Sequence, residues 1–238
     1  MGSLTAALSV FPLVGLPEIG RGADLAGLIA DAAGDDLIDD DVVVVTQKIV
    51  SKAEGKVVAI GEMDLDERRR LAESESVRVL RRRGDLVITE TKHGYVCANS
   101  GIDLSNMADG WAALLPDDSD RSARRIRDGL HARTGKVVGV IVSDTFGRAW
   151  RRGVVDVAIG CAGMKGTVDL RGSRDAMGRE LVATEMCILD EVAAAAELVM
   201  GKALSVPVAI VRGVDRSAHG EGSVAGDVVR PYGEDLFR

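Results

Sequence analysis

Aromatic residues are scarce in this chain of 238 residues, since Phe, Trp and Tyr together make up only 3% of it. The core must therefore be built from Val, Ile, Leu and Ala, and hydrophobic residues do reach 46%. The three cysteines, Cys97, Cys161 and Cys187, are odd in number and form no Cys-x-x-Cys pair. This usage argues against a disulfide framework and a zinc site, and it fits a reduced, cytoplasmic protein.

Long apolar runs and an excess of basic residues are also absent. No stretch approaches the roughly 18 apolar residues of a membrane span, and the N-terminus lacks the pattern of a signal peptide. The net charge of −7 argues against non-specific binding to nucleic acid, which needs a basic surface. We therefore expect neither a membrane nor a nucleic acid as partner. Lysine is rare, with 7 residues against 23 arginines, so Lys48 and Lys52 stand out.

The signatures of the common phosphate-binding loops are missing. The chain contains no GxxxxGK[ST] loop, no GxGxxG after a strand and no GxSxG elbow. The three histidines, His93, His131 and His219, show no metal-ligand spacing. These absences argue against a kinase-type or ATP-grasp-like phosphoryl transferase.

Apolar runs predict strands that are mixed with helices without a strict βαβ rhythm. Strands are predicted at 4–10, 42–45, 57–60, 86–89, 94–98, 137–142, 154–159 and 206–211, and helices at 23–33, 64–83, 119–133, 185–199 and 224–230. This mixture indicates an α+β or irregular α/β protein, and we take it as α+β, with irregular mixed sheets and flanking helices. We treat residues 1–238 as one domain.

Two polar clusters follow predicted strands, where loops on a rigid scaffold commonly carry function. Residues 47–52 bring Lys48 and Lys52, which could neutralise phosphate or carboxylate oxygens. On spacing alone, two solvated lysines explain this cluster better. Residues 97–106 surround Asp103 with small and amide side chains, so a tight turn could present this acid to a hard cation. An Asx-type turn without a ligand is about equally compatible with this pattern.

A third cluster, residues 143–153, favours function more strongly. Asp144 and Thr145 follow a very apolar strand, and an acid with a hydroxyl suits Mg²⁺ or Mn²⁺. Arg148, Arg151 and Arg152 come directly afterwards, as a bound polyphosphate would require. The structural alternative is that Asp144 caps a helix and the arginines are solvated.

A weaker fourth segment contains Glu221, which follows a glycine-flanked run. This carboxylate could join the metal ligands or merely cap the helix predicted at 224–230. The arginine runs at 68–70 and 81–83 are assigned to a solvated helix face.

Five segments, in order and over nearly the whole chain, resemble the coenzyme F-420:L-glutamate ligase family. They are residues 15–18 (GLPE), 46–55 (TQKIVSKAEG), 98–106 (ANSGIDLSN), 143–151 (SDTFGRAWR) and 211–213 (VRG). The resemblance implies an unusual α+β fold and an intertwined homodimer. Some relatives continue into an FMN-binding reductase-like domain. This sequence stops at Arg238, so we expect either a stand-alone ligase or the N-terminal domain of such a protein.

The resemblance also implies an activity. Members of this family use GTP and a divalent metal, Mg²⁺ or Mn²⁺, to add L-glutamate to the F-420 precursor that carries no glutamate, and they then extend a γ-linked glutamate tail. Potassium stimulates some of them. The substrates expected here are therefore GTP, L-glutamate and that deazaflavin precursor.

Site residues carry over by motif. The resemblance places metal ligands at Asp103, Asp144 and Thr145, with Glu221 as a weaker candidate, and GTP contacts at Leu16, Pro17, Glu18, Ile19, Gln47, Lys52 and Asn106. Among these, Asp144 and Lys52, together with Arg148, are the expected catalytic residues. The expected route runs through an acyl phosphate, because amide formation in water requires an activated acid. The alternative is a non-catalytic nucleotide- or deazaflavin-binding module, which would not need two metal-ligating acids.

Overall fold

A computed structural model describes residues 7–62 and 64–235, and it shows a mixed α+β architecture. The strands are β1 (Ser9–Pro12), β2 (Val42–Thr46), β3 (Val57–Ala59), β4 (Ser76–Arg83), β5 (Leu86–Thr91), β6 (Val96–Ala98), β7 (Trp111–Ala113), β8 (Gly139–Arg148), β9 (Arg151–Ala162), β10 (Val168–Asp169), β11 (Glu185–Met186) and β12 (Val208–Arg212). The α-helices are α1 (Leu25–Ala33), α2 (Gln47–Glu54), α3 (Leu65–Ser74), α4 (Ser119–Thr134) and α5 (Ile188–Met200).

A five-stranded mixed sheet forms the centre of the molecule, with the strand order β1-β12-β2-β8-β9. Only β2 and β8 run parallel among the described strands of this sheet, with Val43 opposite Val140 and Thr46 opposite Ser143. Their carboxyl ends therefore lie side by side at one end of the sheet. Smaller sheets, β4-β5-β6, β3-β7 and β10-β11, surround it.

Both faces of the central sheet are buried, which explains the uninterrupted valine run of β2. Val43 and Val45 pack with α1 and α4 on one face, whereas Val42 and Val44 pack with α5 on the other. All four valines are inaccessible to solvent. A strand that is covered on both sides needs apolar residues at every position rather than at alternate ones.

Most elements lie where the sequence predicts them, with one large exception. The segment 64–83 was expected to form one helix, but α3 ends at Ser74 and residues 76–83 form β4. This prediction was wrong because β4 pairs with β5, and Arg78 forms an ion pair with Glu90 across that pairing (2.7 Å). Such pairing depends on a strand further along the chain, which local polarity does not reveal.

Smaller corrections concern the ends of elements. Residues 47–54 form α2 rather than a loop, and the helix expected at 224–230 is a single π-helical turn over Val224–Val228. β8 continues to Arg148, so Asp144 lies within a strand and not after it. The first strand is seen from Ser9, and the predicted positions Leu4 and Ala6 lie outside the described residues.

No helix in the part of the chain that the structure describes is long and apolar enough to cross a membrane.

Candidate active site

A cavity of about 400 Å³ opens at the end of the central sheet where β2 and β8 have their carboxyl ends. Ligands of open α/β sheets commonly bind at this position. The lining residues are Leu16, Pro17, Glu18, Ile19, Thr46, Gln47, Lys48, Ile49, Lys52, Asp103, Ser105, Asn106, Ser143, Asp144, Thr145, Asp156, Glu197, Met200, Gly201, Lys202, Ser205, Val206 and Pro207. All seven residues predicted for nucleotide contact and three of the four predicted metal ligands are in this set.

The direct passage from β2 into α2 builds one wall of the cavity. Gln47 is the first residue of α2 and is buried, and its Nε2 donates to Ser51 Oγ (2.5 Å) and to the Leu114 carbonyl (2.8 Å). These two bonds fix the amide group. Gln47 Oε1 is buried and has no hydrogen-bond partner among the described residues, so it is a free acceptor in the cavity wall. Buried polar atoms are almost always bonded, which favours a ligand donor at this position.

Lys52 connects two loops at the mouth of the cavity. Its Nζ lies 2.5 Å from Glu18 Oε1 and donates to the Asn106 carbonyl (3.2 Å). Asn106 has a positive φ of 51°, and its side-chain amide donates to the Lys202 carbonyl (3.1 Å). Lys52 therefore holds a mostly buried positive charge between the 16–19 loop and the loop after Asp103.

Asp103 is held in place by its own turn. Its backbone pairs with Ala113, and its carboxylate accepts from the Ser105 amide (2.7 Å) and lies 2.9 Å from Lys48 Nζ. Burial acts to raise the pKa of Asp103, but the bonds from Lys48 and Ser105 outweigh it and keep the pKa below its ordinary value. The ionised form of Asp103 is therefore favoured, and it is paired with Lys48. The structure thus contains the Asx-type turn, and this turn faces the cavity, while a metal at Asp103 stays a prediction.

Asp144 lies on β8, beyond the end of β2, and is partly buried in the cavity wall. The Thr145 amide donates to its Oδ1 (2.9 Å). Removal from water raises the pKa of Asp144 to about 7, and the nearby carboxylates of Asp103 and Asp156 add to this effect. No lysine or arginine forms an ion pair with Asp144 among the described residues. The folded chain thus carries a carboxylate whose negative charge is poorly compensated.

Asp156 is a buried acid of this site that was not predicted. It lies on β9 opposite Thr145, and it accepts from Thr145 Oγ1 (2.6 Å) and Ser143 Oγ (2.9 Å). Its position within an otherwise apolar strand was visible in the sequence, because a lone acid among Val154, Val155, Val157 and Ala158 needs a partner or a ligand. Asp156 orients the hydroxyl of Thr145 toward itself and thereby exposes the lone pairs of that oxygen.

Two predicted residues lie away from the cavity. Glu221 is exposed and forms an ion pair with Arg127 (3.1 Å). Within a single chain it therefore lies apart from Asp103 and Asp144. Arg148 lies at the exposed end of the β8–β9 hairpin and donates to the Arg152 carbonyl (3.4 Å). Arg148 is thus four residues beyond Asp144 along an extended strand, roughly 13 Å.

The cavity also has a wall that sequence reasoning missed entirely. Glu197 and Met200 from the end of α5 complete the lining, together with residues 201, 202 and 205–207. Lys202 contributes a positive charge that acts to lower the pKa of Asp144. This segment has no recognisable motif, and it reaches the site only because α5 packs across the sheet.

The oxygen donors of the cavity fit a divalent cation that is shared with a phosphate ligand. No group of three or more His, Cys, Asp or Glu side chains that could hold a metal occurs within residues 7–62 and 64–235. Mg²⁺, however, is usually bound by one or two carboxylates, with waters and substrate phosphates as its other ligands. Asp103, Asp144 and Thr145 meet that smaller requirement, and the poorly compensated charge of Asp144 favours a cation there.

Comparison with known proteins gives a single family. The model of the F420-0:γ-glutamyl ligase family matches residues 14–213. This range contains every residue that lines the cavity.

Full-length relatives agree with this match. The chain is 42% identical to the coenzyme F420:L-glutamate ligase of Methanothermobacter thermautotrophicus, over 97% of this chain and 99% of that protein. It is 40% identical to proteins of the same name from Archaeoglobus fulgidus (97% of this chain, 96% of that protein) and Methanopyrus kandleri (100% of both). With a family match over most of its length and relatives of this similarity, the chain belongs to the F420-0:γ-glutamyl ligase family.

Proposed function

We propose that this chain joins L-glutamate to the F-420 precursor that carries no glutamate and uses GTP to activate the precursor. The observation that carries the proposal is a single cavity in which Asp103, Asp144 and Thr145 meet Lys52 and the 16–19 loop. The relatives are named coenzyme F420:L-glutamate ligases, and this arrangement of oxygen donors and cations suits that reaction. A pure binding module has no need of a poorly compensated carboxylate beside a second acid.

GTP would occupy the mouth of the cavity. Lys52 already holds a positive charge at a fixed position, and phosphate oxygens would replace Glu18 as its partner. Gln47 Oε1 and the Asn106 amide would offer polar contacts, while Leu16, Pro17 and Ile19 would supply an apolar surface.

Asp103, Asp144 and Thr145 would hold Mg²⁺ or Mn²⁺ against the phosphate oxygens. Bound there, the cation would offset the negative charge of the phosphates and of the transition state. Binding of the cation by Asp144 would also offset the free-energy cost of ionising this buried carboxyl group, because a carboxylate facing a cation is stable in its ionised form. The stimulation by potassium stays a prediction from the family resemblance.

The chemistry requires two steps. A carboxylate oxygen of the precursor attacks the γ-phosphorus of GTP, the bond to the β-phosphate oxygen breaks, and GDP leaves. The amine of glutamate then attacks the acyl phosphate, the C–O bond to phosphate breaks, and phosphate departs as the amine loses a proton. Lys48, Lys52 and Lys202 would reduce the repulsion among GTP and the two acids at this point.

Further parts of the proposal follow the resemblance. Repetition of the reaction on the γ-carboxylate of the product would extend a poly-γ-glutamate tail. We also propose an intertwined homodimer, and the exposed side chains of Met177 and Val182 on the arm between β10 and β11 offer apolar surface for it. We place the enzyme in the cytoplasm, as the free cysteines favour.

Nucleotide use tests the proposal. The purified protein is incubated with the precursor, L-glutamate, Mn²⁺ and either GTP or ATP, and GDP or ADP and phosphate are quantified. We expect that nucleotide cleavage proceeds with GTP and that it requires both the precursor and L-glutamate. Cleavage that is independent of glutamate and precursor, or none at all, would contradict it.

The acyl phosphate has its own test. A precursor labelled with ¹⁸O in its carboxylate should transfer one labelled oxygen to the released phosphate, because that oxygen bridges carbon and phosphorus in the intermediate. Phosphate without label would exclude this route while leaving ligation intact.

A further inference from the structure

The β8–β9 hairpin extends past the sheet to which it belongs. Pairing of β2 with β8 ends at Ser143, so in the described structure the residues from Asp144 to Arg148 have only β9 as a paired strand. Residues 147–154, here called the hairpin tip, are all exposed. The base of the same hairpin lines the cavity through Asp144, Thr145 and Asp156. The tip thus continues the strands that form this part of the cavity wall.

The turn at the end of the hairpin has an unexpected residue. Arg148 pairs with Arg151, so Ala149 and Trp150 form a two-residue turn, and Trp150 has a φ of 59°. Gly or Asn normally occupies a position with positive φ, because a bulky side chain there is strained. Trp150 is nevertheless 82% exposed at the end of the hairpin. Strain of this kind is typical of functional positions.

The charge of the tip is equally unusual. Arg148, Arg151 and Arg152 lie within five residues of one another in a chain of net charge −7. Among the side chains that the structure describes, none of the three forms an ion pair with an acid. Arg148 and Arg151 stand directly opposite each other across the strand pair, an arrangement that is unfavourable unless an anion lies between them.

A bulge completes the arrangement. The pairing shifts between Gly147 and Arg148, which leaves Arg152 and Gly153 of β9 without a partner residue on β8, and Gly153 has a φ of 82°. Bulges of this kind bend a strand end and redirect its side chains, and they are frequent beside active sites. The tip therefore carries an exposed ring and three cations, and Arg148 lies roughly 13 Å along the strand from Asp144.

We propose that the hairpin tip binds the acid substrate at its far end, with Trp150 stacked on a planar aromatic ring and the arginines on an anionic group. This inference rests on the proposed function, in which the acid is a deazaflavin with its carboxylate at the opposite end of a phosphodiester chain. That carboxylate would reach the cavity while the ring lies on the tip. Arg148 then binds and positions the substrate from outside the cavity.

Steady-state kinetics and fluorescence test this site together. Trp150→Ala should raise the KM for the precursor about 5- to 150-fold, the range for loss of one aromatic stacking contact, and leave the KM for GTP unchanged. Trp150→Phe should retain most of the affinity. In a Trp111→Phe background, Trp150 is the only tryptophan, and precursor added without nucleotide should quench its emission.

Matched controls separate stacking from general effects. Leu198→Ala removes an equally exposed side chain from α5 and should change neither KM. Trp150→Gly relieves the strained φ, so the melting temperature should hold or rise while the KM for the precursor still increases. This combination excludes misfolding as the cause.

The outcomes distinguish the two proposals. Wild-type ligation with an unchanged precursor KM in Trp150→Ala would overturn the inference and leave the proposed function standing. A change of sedimentation from dimer to monomer with an unchanged precursor KM would also overturn it, because Trp150 would then contact a second copy. If the wild type added no glutamate, the proposed function would fail, and the quenching of Trp150 by the precursor would still decide for or against the binding site.

Discussion

At the scale of single residues, Asp144 has the strongest electrostatic signature of the site. Its carboxyl group keeps a proton up to about pH 7 in the folded chain, whereas its ordinary pKa is 3.8. The folded state therefore binds more protons than the unfolded state between these values. Stability from this group is present below pH 4 and is lost as the pH rises toward 7.

Replacement of this acid has a definite expected effect. Asp144→Asn keeps the acceptor for the Thr145 amide but removes the charge. Without metal, the free energy of unfolding of the variant should equal that of the wild type at pH 4. At pH 8 it should be higher than that of the wild type by up to about 4 kcal/mol. Thermal denaturation in chelator at both pH values measures this. Ligase activity and the stabilisation by Mn²⁺ with GTP should be mostly lost.

A contrary result would be equally clear. If Asp144→Asn kept full activity and the same stabilisation by Mn²⁺ with GTP, Asp144 would not be a metal ligand, and its environment would be a structural feature only.

Lys52 offers a second residue-scale prediction. Lys52→Ala should weaken GTP binding by about 1–3 kcal/mol, the range for a hydrogen bond to a charged group. Lys56→Ala is a suitable control, because Lys56 follows the same helix but pairs with Asp117 outside the cavity lining (2.6 Å). Calorimetry should show weaker binding for the first variant alone. Equal GTP affinity in both variants would exclude Lys52 from nucleotide binding and leave it a structural link between Glu18 and Asn106.

The residues of the site were predictable to different degrees. Asp103 and Asp144 could be identified because each belongs to a polar cluster after a predicted strand and to a motif of the family resemblance. Asp156 was missed, since the hairpin that sets it opposite Thr145 joins residues eleven positions apart. Lys202 was missed as well, because its approach to the cavity depends on the packing of α5 against the sheet.

At the scale of elements, the sequence predicted the strands and helices whose formation depends on their own residues. β2 and the first four residues of β8 are almost entirely apolar, and α4 begins with Asp118 as its N-cap and ends before Gly135, so local signals sufficed. The failure at β4 has a physical reason, since its valines and arginines alternate irregularly around two register shifts. A strand of this kind is stable only in its pairing with β5.

The contact between α4 and β9 gives an element-scale prediction. Asp120, at the start of α4, accepts from the Cys161 amide (2.8 Å), and a Cβ at Gly160 would collide with the backbone of Ser119 and Asp120. Gly160→Ala should therefore lower the free energy of unfolding by about 1–3 kcal/mol. Gly147→Ala on the same hairpin meets no neighbour and should change it little. Chemical denaturation compares them, and equal stability of the two variants would show that this contact tolerates displacement.

At the scale of the whole molecule, the cavity assembles segments that span from residue 16 to residue 207. Such a site needs the complete central sheet. Under the proposed function, a divalent cation offsets the concentration of acids in this cavity. Glutamate addition should therefore cease in excess chelator and return with Mn²⁺ or Mg²⁺. Undiminished addition in chelator would show that the acids act without metal.

The most direct test of ligation is mass spectrometry of the F-420 precursor after incubation with this protein, GTP, Mn²⁺ and L-glutamate. The proposed function predicts a product heavier by one glutamyl residue, with heavier products if the tail is extended, and no such product with Asp144→Asn. A precursor of unchanged mass under these conditions would contradict ligation by this chain.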